Sequence, residues 1–273
     1  MDFFRGKENA ASWMYDCEGI FAAWTTNPAT VRSVLPPPLE YVSPVVRAYI
    51  INVFDPTFSS RYHEAGLVLT AMYNGRPGEY NLGTLLKGAD NGVLMGREIA
   101  DLPRKNAECI SLARIGDSAH GSVTRDDVRL IEIECDLCGT GGYNNPKMAE
   151  EIFGARKPGE VLDSRQYSFR FDCVMEEGHG AVVSGVKLND SHVQTRIKTF
   201  RSASVHVTLR STANDPWAEM KVIEMIGAGW SRVDIGLLGS ELIPLGEDNT
   251  AVPYLLNRYD SPAFGKPNRS FCC

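Results

Sequence analysis

Apolar and polar residues alternate with period two in one segment after another of this chain, and no other feature limits its fold as strongly. The segments "VVRAYIINVF" (residues 45–54), "GLVLTAMYN" (66–74), "DDVRLIEIECDL" (126–137), "QYSFRFDCVM" (166–175), "AVVSGVKLN" (181–189) and "ASVHVTLRS" (203–211) combine that alternation with β-branched or aromatic side chains. Such segments form strands with at least one face against a core, so at least six strands are predicted. Turn signals such as "YNGRPGEY" and "EEGHGA" separate them. The spacing suits antiparallel pairing and leaves little room for crossover helices.

Helical signals are few. Asn27 before Pro28 reads as a cap with proline at the first helical position, and Pro36 to Pro38 stop that short helix. The stretch "NNPKMAEEIFGARKPG" (144–159) has a cap, helical apolar spacing and a Gly stop, and residues 217–227 form a further helical candidate. The predicted class is therefore strand-rich α+β. With 273 residues, no internal repeat and no visible linker, a single domain over residues 1–246 is expected. From residue 247 onward the chain is rich in Pro, Asn and Asp without a sustained period. That portion, 247–273, is expected to be an extended C-terminal tail packed on the body or on a neighbouring subunit.

Charge and composition exclude several classes. The net charge is −6 with no basic block, so nucleic acid is not an expected partner. No apolar run approaches the roughly 18 to 20 residues of a membrane span, and "MDFFRGKENAASW" lacks the apolar stretch of a secretory signal. A soluble, cytoplasmic protein is expected, with no membrane partner. Seven cysteines at irregular spacing suit reduced thiols better than a disulfide framework. In that setting the sequons at Asn189 and Asn268 are chance triplets.

Most motifs with chemical potential have a stronger plain reading. Cys135 and Cys138 in "CDLC" have metal-ligand spacing, but no second Cys or His pair lies close by, and they read as small apolar residues ending a strand. "GDSAHG" (116–121) has His120 where a nucleophile elbow has glycine, and reads as a loop. No phosphate-cradling loop or dinucleotide fingerprint is present, and the five histidines stand apart. The terminal Cys272 and Cys273 miss the prenyl position, which Ser270 occupies. No metal and no cofactor are expected. Two segments differ in kind: "RYHEAG" (61–66), whose Glu64 is read as lying in a loop just before an apolar strand, and "LPRKNA" (102–107), where Arg104 and Lys105 follow Pro103.

Taken in order along the chain, "VRSVLPPPLEYVSPVVRAYI", "HEAG", "YNGRPGEYNLGTLL" and "MGREIADLPRKNA" resemble the acetoacetate decarboxylase superfamily over about residues 12–240. The resemblance implies a closed, cone-like antiparallel β-barrel with peripheral helices, an internal pocket, and homo-oligomers. It also implies a small-molecule oxo acid or ketone as substrate. In that family a buried lysine forms a Schiff base with a β-keto acid, and a nearby glutamate, matched here by Glu64, handles protons. An activated lysine beside another cation is the standard illustration of this chemistry in this same family.

At the Schiff-base position this sequence has Arg104, with Lys105 following it. A guanidinium neither loses its proton nor forms an imine. In an extended segment the two side chains point to opposite faces, so only one can enter the pocket, although a local bulge could swing Lys105 inward. The family's arginine before the first helix is also missing, since none lies between Arg5 and Arg32.

The resulting expectation is an acetoacetate decarboxylase-like enzyme of lyase, isomerase or cyclase type that works without a Schiff base on an enolisable small oxo compound or 3-oxo acid. Arg104 stabilises an enolate or carboxylate, and Glu64 is the general acid or base. One alternative is Schiff-base decarboxylation of a 3-oxo acid through Lys105, and another is a non-catalytic barrel that binds a small hydrophobic ligand. Arg97 and Glu98 read as structural support in a strand or turn. Tyr62, Phe54 and Tyr73 are candidates for the substrate-binding wall, although core packing predicts the same residues.

Overall fold

Seven strands of this protein close on themselves into a ring. The computed structural model describes residues 12–137, 143–154, 156–177, 180–246, 250–258 and 260. The elements in chain order are β1 (Ser12–Thr25), α1 (Pro28–Val34), β2 (Glu40–Pro56), β3 (Tyr62–Tyr73), β4 (Arg76–Lys87), α2 (Asp90–Glu98), β5 (Arg104–Asn106), β6 (Cys109–Ile115), β7 (Ser118–Arg125), β8 (Val128–Asp136), α3 (Pro146–Phe153), β9 (Val161–Glu176), β10 (Gly180–Leu209), β11 (Glu224–Pro244) and α4 (Val252–Leu255). The ring order is β11-β1-β2-β3-β4-β9-β10, and β10 pairs back to β11. Pairing is antiparallel except where β4 meets β9 and where β5 adds to β4, both parallel.

The 30-residue β10 links two sheets. Its earlier residues pair with β9 and β11, and Ser204–Leu209 pair with β8 of a small antiparallel sheet, β8-β7-β6. That sheet packs on the outside of the ring. Ile20, Trp24, Val46 and Ile50 join Val123, Ile131 and Ile133 in the main core. On β2 the next positions along, Arg47, Tyr49 and Ile51, line the ring's interior. Alternation by two therefore sends one set of side chains to the core and the other to the cavity. On β2 the cavity face carries Arg47 and Tyr49, so the alternation survives, whereas the middle of β1, "GIFAAW", is apolar on both faces and reads as a continuous run.

Local chemistry sets the connections. Asn27 accepts from Ala29 N at 2.8 Å and Pro28 opens α1, as its sequence predicts. The β3–β4 hairpin turns through Asn74 and Gly75, both at positive φ (48° and 72°), the conformation for which Asn-Gly is favoured. Asn145 caps α3 through Met148 N, with Pro146 following.

Several expectations need correction. Residues 181–189 and 203–209 belong to the single strand β10, because the residues between them keep pairing with β9 and β11, and residues 210–211 lie past its end. The stretch 217–227 is one 3-10 turn, Trp217–Glu219, and then the start of β11. "GDSAHG" is mostly strand, with Gly116 and Asp117 as the β6–β7 hairpin turn. Of the segment after 247, residues 250–258 and 260 are described, and 252–258 are helical rather than extended. They form α4 and a 3-10 turn, Leu256–Arg258, and the buried Arg258 donates to the carbonyls of Asp101 and Phe169. Among the described residues no helix is long and apolar enough to cross a membrane.

Candidate active site

The site is built where β3, β4 and β5 lie side by side. Glu64 is not in a loop, as its sequence context suggested, but is the third residue of β3, registered opposite Ile51 of β2 and Leu86 of β4. It is 4% exposed. Its Oε1 accepts from the hydroxyl of Tyr49 at 2.8 Å. The next residue but one, Gly66, explains how that ring fits: a Cβ there would lie 2.8 Å from the Tyr49 hydroxyl oxygen.

Arg104 arrives by a different route. After α2, Asp101 takes a left-handed φ of 57°, which Asp tolerates better than most residues. Its carboxylate accepts from Arg170 Nε at 3.0 Å and from Asn189 Nδ2 at 2.6 Å. The chain reverses there, and β5 pairs with β4 through Thr84↔Arg104 and Leu85↔Lys105. Leu85 lies in the main core outside the ring. The strand period therefore puts Lys105 on the outer side and Arg104 on the inner one.

The guanidinium of Arg104 threads beneath α2. Its Nη1 donates to the Gly92 carbonyl at 2.9 Å, and its Nη2 stands 2.9 Å from Glu64 Oε2. A Cβ on Gly96 would fall 2.1 Å from Arg104 Cδ, so the glycine of "GRE" is the space this side chain occupies. The ion contact is close but poorly aligned for hydrogen bonding. Glu64 Oε2, Arg104 Nε and the neighbouring Asn81 Nδ2 are buried without a hydrogen-bond partner, which in a native cavity points to groups that a ligand or water satisfies.

Electrostatics keep the pair charged at Arg104. Burial is the largest single influence and opposes the cation, but Glu64 together with Tyr62 and Tyr49 outweighs it and holds the guanidinium pKa above its ordinary value. Burial and the same carboxylate push the phenols of Tyr49 and Tyr62 well above the ordinary tyrosine value, so both are neutral donors.

Around this end extends a cavity of about 370 Å³ with a mainly apolar wall that includes Met14, Phe21, Ile51, Phe58, Val68 and Met95. Its other polar residues include Asn81, Arg47, Glu79 and Arg156.

Lys105 belongs to a separate cluster. Its amine lies 3.1 Å from Asp215 Oδ1, 3.1 Å from Asp260 Oδ1 and 3.0 Å from the Asn214 carbonyl. Arg125 pairs with both aspartates. The remaining candidates scatter. Tyr62 is buried against Arg104, with its hydroxyl 3.0 Å from Met14 Sδ. Phe54 is 45% exposed, because its position on β2 has the opposite parity to Val53 and falls beyond the enclosed part of the strand. Tyr73 packs edge-on to Tyr167 beside the outer core, not the cavity. Arg97 and Glu98 sit in the last turn of α2 rather than in a strand or turn. Glu98 is exposed, and its carbonyl is 3.3 Å from Arg170 Nη2.

Tyr49 could have been found from the sequence, since it shares strand parity with Ile51. Arg156 could not, because it looked like part of a helix stop. Among the described residues no group of His, Cys, Asp and Glu could hold a metal. Cys135 is buried, its thiol pushed up to about 12 by desolvation, while Cys138, Cys272 and Cys273 lie outside the described residues.

Comparison with known proteins adds an independent line. The family model "Acetoacetate decarboxylase (ADC)" matches residues 3–243. A protein named CLA biosynthesis isomerase, from Lactiplantibacillus plantarum, is 30% identical over 256 residues, covering 92% of this chain and 90% of that one. An acetoacetate decarboxylase of Burkholderia lata is 34% identical over 133 residues, 49% of this chain and 51% of its own. The match thus spans about half the length of that decarboxylase. Among solved structures, acetoacetate decarboxylase from Legionella pneumophila aligns with a TM-score of 0.70 at 18% identity, covering 90% of this chain and 94% of its own. The enduracididine biosynthesis enzyme MppR complexed with pyruvate aligns at 0.65 and 14%, covering 88% and 93%. At such identities the structural likeness concerns the fold.

Proposed function

Because this chain belongs to the acetoacetate decarboxylase family, whose named relatives are enzymes, we propose that it is an imine-independent member that moves a proton on an enolisable oxo compound. The carbonyl oxygen of the substrate faces the Arg104 guanidinium. Glu64, held by the Tyr49 hydroxyl, takes a proton from the carbon next to the carbonyl. The C–H electrons become the enolate, whose oxygen is stabilised by a cation already in place and needing no reorganisation. Return of the proton to a different carbon of the conjugated system completes an isomerisation. Release of carbon dioxide from a 3-oxo acid would pass through the same enolate, with the C–C electrons in place of the C–H pair.

The observation that carries this reading is the 2.9 Å approach of Arg104 to Glu64 inside the cavity, at the position where the family's imine chemistry needs an amine. The name of the Lactiplantibacillus plantarum relative favours isomerisation over decarboxylation. The experiment is solvent deuterium exchange into 2-octanone followed by NMR, together with borohydride treatment of the protein and ketone. Exchange that is lost in Glu64→Gln, with no reduced adduct on any lysine, is the expected result. A covalent adduct on Lys105 would replace this reading with the Schiff-base one.

A further inference from the structure

The cavity has a second polar end. Arg47 and Ile51 lie on the same face of β2, four residues apart, and Ile51 is registered with Glu64. At roughly 3.3 Å per residue that is about 13 Å of strand, so Arg47 marks the opposite end from the Glu64–Arg104 pair. There its Nη1 is 2.6 Å from Glu79 Oε1. Arg156, on the connection from α3 to β9, lines the same cavity. Its Nε donates to the Phe153 carbonyl at 2.8 Å. Its guanidinium carbon lies 5.8 and 5.9 Å from the ring centres of Phe153 and Phe200.

The charges at the two ends differ. Glu64 and Arg104 cancel. Arg47 and Glu79 cancel too, but Arg156 makes no ion pair with a carboxylate among the described residues. One positive charge is left over among the cavity's side chains at the far end: burial and the field of Arg47 act against it, and the more weakly acting carboxylates Glu79 and Glu160 offset them only in part. Such a group is stabilised by an anion that enters with the ligand. Between the two ends the wall is mainly apolar.

We infer that Arg156 is a substrate-binding residue, an anchor for a carboxylate, and that the substrate is an oxo carboxylic acid whose carbonyl and carboxylate are separated by an apolar chain. This rests on the reading of Glu64 and Arg104 as the carbonyl end. A 3-oxo acid, with one carbon between its two groups, cannot reach both ends. The anchor therefore selects against the decarboxylase type of substrate and for a longer one. It also places an arginine at the cavity although β1 has none.

The test is calorimetric titration of the full-length protein with dodecanoate and with methyl dodecanoate. A charge-assisted contact of about 1.5 to 3 kcal/mol corresponds to roughly a tenfold or greater change in affinity. Arg156→Gln is expected to weaken dodecanoate at least about tenfold and to leave the methyl ester within about twofold. Arg104→Gln is expected to leave dodecanoate within about threefold. Unchanged dodecanoate binding in Arg156→Gln overturns the proposal, as does equal loss of both ligands, which marks a structural role. Loss confined to Arg104→Gln overturns it as well, since the carboxylate would then sit at the other end. The readout is binding and needs no turnover, so failure of proton transfer in the deuterium experiment is a separate result.

Discussion

Arg104 Nη2 lies 2.9 Å from Glu64 Oε2, across β4 from one flanking strand to the other, with each side chain about 5% exposed. Removing one member of such a buried pair leaves the other charge desolvated, at a cost of about 3 to 5 kcal/mol. Glu64→Gln and Arg104→Met should each destabilise the protein by about that amount. The double variant should recover most of the loss, because the two residues couple and their effects do not add. Denaturant unfolding of the four proteins measures the coupling directly, and simple additivity would mean the charges are solvated.

Gly96→Ala tests whether the arginine's position matters for turnover. The added methyl would sit 2.1 Å from Arg104 Cδ, so the side chain must shift while α2, for which alanine is a better former, stays intact. A displacement near 1 Å can cost about a hundredfold in rate, and kcat/KM for proton exchange is expected to fall by about that factor with circular dichroism unchanged. Retained activity would show that the guanidinium has latitude.

Lys105→Gln separates the two adjacent cations. The Lys105 amine is held by Asp215 and Asp260 on the outer side of the ring, and losing its charge-assisted bonds should lower stability by about 1 to 3 kcal/mol. Proton-exchange activity should stay within about threefold of the parent, a change below about 0.7 kcal/mol in the barrier. Abolished turnover in a folded Lys105→Gln protein would favour imine chemistry.

His63 gives the pH dependence a definite sign. Burial, helped by the charge of Arg61, lowers its pKa below the ordinary 6.5, and its Nδ1 is buried without a hydrogen-bond partner. The unfolded chain takes up the proton first, so the stability tied to neutral His63 is complete above pH 6.5 and is lost as the pH falls through the lower folded value. Melting temperature against pH should slope downward below about 6.5, and His63→Asn should flatten that slope. An unchanged slope would assign the acid limb to other groups.

The strand character of residues 45–54 or 66–74 was legible because period-two patterning is local, and so was the cap Asn27–Pro28. The strands β1, β4, β7 and β11 were harder to see. β1 and β11 face both core and cavity and so lose the alternation, and β7 begins in a turn motif. Glu64 and Arg104 could be picked out as a pair, but the means of bringing them together could not. Gly66 and Gly96 look like loop glycines in the sequence, and only the packed structure shows that each is the space beside a named side chain. Tyr73 was indistinguishable from a cavity residue because burial in a core and burial in a cavity favour the same aromatic side chains, whereas Phe54 is 45% exposed because β2 runs on past its enclosed part, which no local pattern reveals.

By itself, the order of residues determined that strands would dominate, that an arginine stands where the family's chemistry places an amine, and that Arg104 and Lys105 must face opposite ways if extended. Each of these follows from neighbouring residues and the two-residue repeat of a strand. Which cation points inward depends on the register of β5 against β4, set by the turn at Asp101 and its contacts to Arg170 and Asn189. The same holds for the far end of the cavity, where Arg47 and Arg156 are brought to one cavity wall from positions 109 residues apart in the chain. Such distances are closed only by the ring of strands, because charge balance inside a cavity is a property of the whole fold and no single segment carries it.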